Sequence, residues 1–312
     1  MKNNNQLLSI IVPVYFNAQS LPLLFSKIAK LEIELLKLEV TLELIFVDDG
    51  SLDTSFAELL NIKKARTNTK LIKLSRNFGA VHASKTGIQH ATGDCFIILA
   101  ADLQDPPELI LEMVKKWKQG SKFTICERSD RDDPFFSKIS AIFYYQLLKL
   151  IVLKNYPKGG FDLALMDKVF LPHIQNSTKN LNTPVLLFWL GFKPEIINYK
   201  REKRVHGKSK WTFWKKYHFF LDSILGFSVL PIRIITGIGF FVSAISFLYG
   251  LIVVVNALKN NIVVAGFPTI VSLLSFLFGL VIIMIGIIGE YVWRIFDEVN
   301  KRPEVVIETI LD

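Results

Sequence analysis

Two long stretches near the C-terminus carry no charge at all: residues 234–258, 25 in number, and residues 262–289, 28 in number. Only Lys259-Asn260-Asn261 separates them. As helices each would be about 37 Å or longer, against roughly 30 Å of bilayer hydrocarbon. Two membrane-crossing helices joined by a short loop satisfy that length; a buried hairpin in a soluble core is the competing reading. Apolar residues make up 51% of the 312-residue chain, and the mean hydropathy is +0.36, both high for a soluble enzyme. Basic residues set the orientation. Lys200 to Lys216 and Arg233 precede the first run, Arg294, Lys301 and Arg302 follow the second, and the connecting loop holds only Lys259. Both termini are therefore expected on the cytoplasmic side. The net charge is +9, and residues 193–218 alone hold nine Lys/Arg against two Glu. Because this basic run abuts an apolar one, it points to anionic lipid or phosphorylated substrates and away from nucleic acid.

The preceding part alternates strand and helix patterns. Apolar runs at 7–14, 42–47, 71–74, 96–100 and 123–126 read as strands. Residues 21–38, 53–65, 80–91 and a segment ending at Lys118 read as helices, the second capped by Asp53 or Ser51. Strands this apolar are buried on both faces, which predicts an α/β fold with a mostly parallel sheet between helices. The N-terminus has a short apolar run without a small-residue cleavage site, so it reads as the first strand rather than a secretory signal. Cys95 and Cys126 lie in strand-like runs and read as buried, reduced thiols. Residues 211–230 mix Trp211, Phe213, Trp214, Tyr217, Phe219 and Phe220 with Lys215 and Lys216, as a helix at the lipid headgroup level does. Residues 134–153 are rich in aromatics and fit either a surface-docked or a core helix.

In parallel sheets ligands bind beyond the carboxyl ends of the strands. Asp48-Asp49-Gly50-Ser51 and Asp102-Leu103-Gln104-Asp105 both fall there. Oxygen donors at such a loop suit Mg²⁺ or Mn²⁺, hard cations that also bind phosphate oxygens. A carboxylate at the other loop can accept a base N–H or ribose hydroxyls. Each motif alone also fits an acidic turn capping a helix.

Four phrases occur in order: Val12-Pro13-Val14-Tyr15, Val47-Asp48-Asp49-Gly50-Ser51, Ser75-Arg76-Asn77-Phe78-Gly79, and Ala101-Asp102-Leu103-Gln104-Asp105-Pro106-Pro107-Glu108. This series resembles the second family of glycosyltransferases, which has the GT-A fold. More narrowly it is similar to the polyprenyl-phosphate glycosyltransferases, the group of dolichol-phosphate mannose synthases and bacterial bactoprenol glucosyltransferases. Bacterial members often carry two C-terminal transmembrane helices, so the resemblance extends over nearly the whole chain.

The resemblance implies a GT-A domain at 1–210, an interfacial amphipathic helix at 211–230, two spans within 231–293 (about 232–258 and 264–289) and a cytoplasmic tail at 294–312. It implies a multi-pass protein of the bacterial inner membrane. The nucleotide-sugar would meet Pro13, Tyr15, Asp48, Asp49, Arg76 and Asp102, and a Mg²⁺ or Mn²⁺ on the diphosphate would meet Asp102 and Gln104. Gly159-Gly160-Phe161-Asp162 looks like the family's segment beside the acceptor, with Asp162 orienting it, acting as a modest base, or serving structure only. Arg201, Arg204, Lys208, Ser209 and Lys210 match the family's basic loop for the diphosphate or the acceptor phosphate, whereas Lys215 and Lys216 read as membrane contacts. Catalysis would then rest on Asp102, Asp162, Arg201 and Arg204.

Ala100 departs from the family's Asp-x-Asp pattern, which removes a possible ribose contact and admits an inactive membrane-binding paralogue. The implied reaction moves a sugar from a nucleotide donor, UDP-glucose first and GDP-mannose or another UDP-sugar as alternatives, to a polyprenyl phosphate such as undecaprenyl phosphate. A processive polysaccharide synthase is disfavoured, because no Gln here begins a Gln-x-x-Arg-Trp motif. A homo-oligomer is compatible with small residues in the spans, among them Gly237, Gly239, Gly279, Gly286 and Gly289.

Overall fold

The first strand is apolar enough to sit in the middle of a sheet, and the computed structural model places it there. The structure describes residues 6–129, 135–157, 159–179, 182–201, 213–259 and 266–312. In chain order the elements are β1 (Gln6–Val14), α1 (Leu21–Leu36), β2 (Val40–Asp48), α2 (Ser55–Ala65), β3 (Thr69–Leu74), α3 (Ala80–Gln89), β4 (Cys95–Ile98), α4 (Leu109–Lys118) and β5 (Phe123–Arg128). Then come α5 (Phe135–Ile151), β6 (Leu163–Asp167), α6 (Leu171–Gln175), α7 (Thr183–Trp189), β7 (Glu195–Tyr199), α8 (Phe213–Leu225), α9 (Leu230–Leu258), α10 (Phe267–Val299) and β8 (Ile307–Leu311).

Among the described residues one sheet runs in the order β7-β5-β6-β4-β1-β2-β3-β8. The pairs β1/β2, β1/β4, β2/β3 and β5/β7 are parallel; β4/β6, β5/β6 and β3/β8 are antiparallel. Leu8, Ile10, Ile11, Val12 and Val14 of β1 are all completely buried, as a strand covered on both faces requires. Helix α1 presents Leu21, Leu24, Ile28, Leu31 and Leu35 to the core, a three-and-four spacing that puts them on one face. Each such side chain contributes about 1.5–3 kcal/mol of burial. The cysteines are buried and unpaired, and burial pushes the Cys126 thiol up to about 12, so it stays protonated.

The chain divides into two units, Met1–Ser223 with Pro303–Asp312, and Ile224–Arg302. The second unit holds α9 and α10. Both are long and apolar enough to cross a membrane, over Leu230–Tyr249 and Phe276–Val299. Phe240, Phe247, Phe276 and Ile282 are each at least two-thirds exposed or nearly so (78%, 72%, 66% and 69%), an apolar surface that water would penalise. Within the first unit, α5 packs Leu148 into the core yet leaves Phe143 and Leu150 exposed, so it combines both expected characters.

Two details differ from the sequence reading. Helix α2 starts after Thr54, whose side chain makes no cap bond; Asp53 instead accepts from Ser55 N (3.1 Å), while Ser51 Oγ accepts from Phe16 N (3.1 Å) and does not cap the helix. The larger difference concerns 294–312, expected as a tail: α10 continues to Val299, and β8 then joins the sheet antiparallel to β3. Exposure alternates along Ile307–Leu311 as in a half-buried edge strand, but the residues Ile-Glu-Thr-Ile-Leu do not themselves alternate apolar and polar, so periodicity carries no strand signal there. Just before it, Glu304 bonds His82 Nδ1 (2.9 Å) and Lys85 Nζ (2.8 Å) on α3.

Burial alone would raise the Glu304 carboxyl, but the bonds from His82 and Lys85 outweigh it and hold it below the ordinary 4.5. A lowered carboxyl adds stability that is full above 4.5 and is lost as pH falls through its folded value. Glu304→Gln is therefore expected to melt at lower temperature than the parent at neutral pH. The gap between the melting curves should narrow as pH falls below 4.5 and through the lowered folded value, where the parent loses the same charge; a gap that does not narrow at any acid pH would contradict this role.

Candidate active site

Strands β1 to β5 (β4 and β5 through the antiparallel β6 between them) and β7 all point the same way, so their carboxyl ends lie along one edge of the sheet. The loops after β1, β2, β3, β4, β5 and β7 and the turn into β6 meet at that edge, and they contain the motifs singled out in the sequence. Short bonds stitch these loops together. Asn17 N donates to Ser55 Oγ (2.9 Å), and Ser20 Oγ donates to Ala101 O (2.7 Å).

On the β2 side, Asp49 is 2% exposed. Its Oδ1 accepts Phe78 N (2.7 Å), and its Oδ2 accepts Gly79 N and Asn77 Nδ2 (both 2.9 Å). Asp49 thus clamps the loop at 75–79, a use the sequence reading did not foresee. Gly50 completes the clamp. Its φ is +66°, and a Cβ there would lie 2.4 Å from the Arg76 carbonyl carbon, so only glycine allows this approach. The Arg76 guanidinium lies over the Phe78 ring, 4.0 Å from its centroid, and the residue is exposed. Asp48 is wholly buried, and its Oδ2 has no hydrogen-bond donor among the described residues. Burial pushes this carboxyl up even though Ser51 bonds it. Pro13 and Tyr15 are half-buried beside it. Such an orphaned buried acceptor fits a donor supplied by a ligand, as a base N–H or ribose hydroxyl would.

After β4 the chain turns sharply. Leu103 has φ +61°, a conformation unusual for leucine, with its side chain buried. Asp102 and Gln104 on either side are half-buried, and Asp102 Oδ1 accepts Gln104 N (3.2 Å). Among the described residues no three His, Cys, Asp or Glu side chains gather into a metal cage. One carboxylate and one amide oxygen nevertheless fit a cation such as Mg²⁺, which typically takes one or two protein oxygens and completes its shell with water and substrate phosphate.

Beyond them lies a partly buried ionic cluster, with Asp105 and Tyr199 buried and Arg128, Asp162 and Arg201 half-buried. Arg128, at the end of β5, grips Asp162 with Nε–Oδ2 at 2.6 Å and Nη2–Oδ1 at 2.5 Å. Tyr199, at the end of β7, places its hydroxyl 2.6 Å from Asp105 Oδ1 and 2.7 Å from Asp162 Oδ2. Arg201 Nε lies 3.2 Å from Asp105 Oδ1, an ion pair without hydrogen-bond alignment. Burial would raise the Asp162 carboxyl, but Arg128 and Tyr199 outweigh it and keep it below the ordinary value. Asp162 is therefore ionised and fully engaged, better suited to orienting than to taking up a proton. Burial and the two carboxylates push the Tyr199 phenol far up, so it stays protonated and acts as a donor. Gly160, at φ +69°, passes beside Tyr145, where a Cβ would sit 2.2 Å from the phenol oxygen.

The structure thus gathers Pro13, Tyr15, Asp48, Asp49, Arg76, Asp102, Gln104, Asp162 and Arg201 along one sheet edge. Arg204, Lys208, Ser209 and Lys210 lie outside the described residues. Sequence reasoning gave no individual role to Arg128, Asp105 or Tyr199, although Asp105 stands in the last of the four phrases. Their signal was position: each lies at or just past the carboxyl end of a strand.

Comparison with known proteins follows the same lines. Residues 9–174 match glycosyl transferase family 2. The chain is 33% identical over 303 residues to a bactoprenol glucosyl transferase of Shigella phage SfII, spanning 96% of this chain and 97% of the phage protein. It is 33% identical over 298 residues to an uncharacterized glycosyltransferase of Synechocystis sp., spanning 95% and 93%. Among solved structures, a glucosyl-3-phosphoglycerate synthase from Mycobacterium tuberculosis in complex with phosphoglyceric acid matches with a TM-score of 0.51 at 15% identity, over 70% of this chain and 80% of that one. At that identity the likeness establishes the GT-A type of fold.

Replacing Asp49 by Ala removes the acceptor of the N–H groups of the half-buried Phe78 and Gly79. We expect a loss of roughly 3 kcal/mol in denaturant unfolding. A variant of unchanged stability would contradict the clamp.

Proposed function

Because the chain belongs to glycosyl transferase family 2, we propose that it transfers a sugar from a nucleotide-sugar, UDP-glucose first, to a polyprenyl phosphate at the cytoplasmic face of a bacterial inner membrane. One observation carries the reading: a sheet edge with paired oxygen donors and part-buried arginine–carboxylate pairs occurs in the same chain as two exposed apolar helices. A water-soluble acceptor would not call for the helices. The full-length likeness to a bactoprenol glucosyl transferase supports the same acceptor. The chain leaves the catalytic unit after Ser223 and re-enters it at Pro303. A unit that lies on one face of a membrane requires an even number of crossings between those points, which supports two spans with both flanks on the same face; the Lys/Arg flanks favour the cytoplasmic one.

The chemistry follows from the acceptor. By analogy with phosphoserine its second pKa is ~6, so it is mostly dianionic at neutral pH and needs no strong base. What it needs is placement and relief of repulsion between two anions. Asp102 and Gln104 would hold Mg²⁺ or Mn²⁺. When bound, that ion neutralises charge on the departing diphosphate. Asp48, Asp49, Pro13, Tyr15 and Arg76 frame the nucleotide, with the orphaned Asp48 Oδ2 as acceptor for a base or ribose donor. Arg201, with Arg204, Lys208, Ser209 and Lys210, supplies cationic donors for phosphate oxygens. Asp162, held ionised by Arg128, orients the acceptor segment. The result is a single displacement with inversion at the anomeric carbon.

The test uses the full chain in detergent with undecaprenyl phosphate, a divalent cation and a panel of radiolabelled nucleotide sugars. Label should enter the organic phase from one donor, stop with chelator, and fall at least about 100-fold in Asp102→Ala. No transfer from any donor by folded protein would contradict the reading and favour the inactive paralogue that Ala100 admits.

A further inference from the structure

The site contains a link that the sugar-transfer reading does not use. Asp105 follows directly on Asp102 and Gln104 in the loop assigned to the donor diphosphate, whereas Asp162 closes the segment assigned to the acceptor. These loops lie 57 positions apart in sequence, counting from Asp105 to Asp162 (162 − 105). Between them stands the Tyr199 hydroxyl, 2.6 Å from Asp105 Oδ1 and 2.7 Å from Asp162 Oδ2. The ring is 6% exposed and Asp105 is 4% exposed, so water does not compete freely for either group. Each carboxylate also has its own cation, Arg201 for Asp105 and Arg128 for Asp162. Tyr199 is itself tied down, because its carbonyl accepts Ser129 N (2.9 Å) at the end of β5. A phenol has one hydrogen and can donate to one carboxylate at a time, with the other oxygen kept close by the flanking arginines.

We infer that the Tyr199 hydroxyl is a positioning group for the transfer reaction: by bridging Asp105 and Asp162 it fixes the spacing between the donor-diphosphate loop and the acceptor segment. The inference rests on the proposed sugar transfer. An attacking phosphate must meet the anomeric carbon at near-contact distance, and a displacement of about 1 Å can cost 100-fold in rate. Substrate binding at either loop needs only that loop. The bridge therefore acts on turnover more than on affinity. Tyr199 also leads directly into Lys200-Arg201, so the same strand end carries the bridge and the start of the basic loop.

Tyr199→Phe deletes the bridging oxygen and keeps the ring. Two measurements on the full chain in detergent test the inference. Hydrogen–deuterium exchange without substrates should rise in both 101–107 and 159–163, and stay unchanged at 75–79, which Asp49 holds instead. In transfer assays kcat should fall about 10- to 100-fold, with KM for the donor within threefold and a melting midpoint close to the parent's. Asp105→Ala should behave alike, and the double variant should be no slower than the slower single one, because both cut the same link. Should Tyr199→Phe fail to fold, Asp105→Ala carries both readouts. An active parent with unchanged kcat in the variant, loosening of only one loop, or rate losses that multiply in the double variant would overturn the inference. A parent inactive with every donor would sink the transfer reading instead, and the exchange comparison would then decide the bridge alone.

Discussion

Strand β1 has no exposed face. Leu8, Ile10, Ile11, Val12 and Val14 are sealed between β2, β4 and the helices on either side. Along such a strand a polar side chain is tolerated only when fully paired, as Ser9 is with Glu43 and Gly93, since an unpaired polar group there would cost several kcal/mol. Polar chemistry is thereby pushed to the strand ends. Parallel neighbours then bring the ends of β1, β2, β3 and β4 to the same edge, so residues distant in sequence become one site. Everything proposed about catalysis depends on that exclusion.

The edge is held by two devices of different cost. Asp49 clamps the loop at 75–79 through three donors, a carboxylate fully satisfied in a buried position. The cluster of Arg128, Asp162, Tyr199, Asp105 and Arg201 is more expensive, because several charges are taken from water together. Buried ion pairs of this kind are weak contributors to stability, since desolvation offsets most of their attraction. Their presence at a strand edge, rather than in the apolar core, fits the proposed role of these carboxylates in orienting a substrate. Asp48, with an unsatisfied buried oxygen, is a third cost of the same sort.

Much of this was legible in the sequence, for stated reasons. Apolar runs buried on both faces announced the sheet, and the two uncharged stretches announced α9 and α10. The carboxylate motifs were found because ligands gather at strand ends. What stayed hidden was pairing. Nothing local in Asp49 says that its oxygens are taken by Phe78, Gly79 and Asn77, and Arg128 meets Asp162 across 34 positions. The antiparallel β6 and β8 were also missed. β6 offers only four apolar residues, Leu163–Met166, before Asp167, and β8 follows a helix of 33 residues whose hydropathy dominates its surroundings. Edge partners depend on long-range contacts, which periodicity does not encode.

The central claim is that this sheet edge carries out one displacement between a nucleotide-sugar and a lipid phosphate, with charged groups placing the reactants and no covalent sugar–enzyme stage. The anomeric configuration of the product tests it most directly. Proton NMR on the sugar–phosphate lipid made from an α-linked nucleotide-sugar should show the β anomer. An α-linked product would mean two displacements or a different chemistry, and would contradict the account.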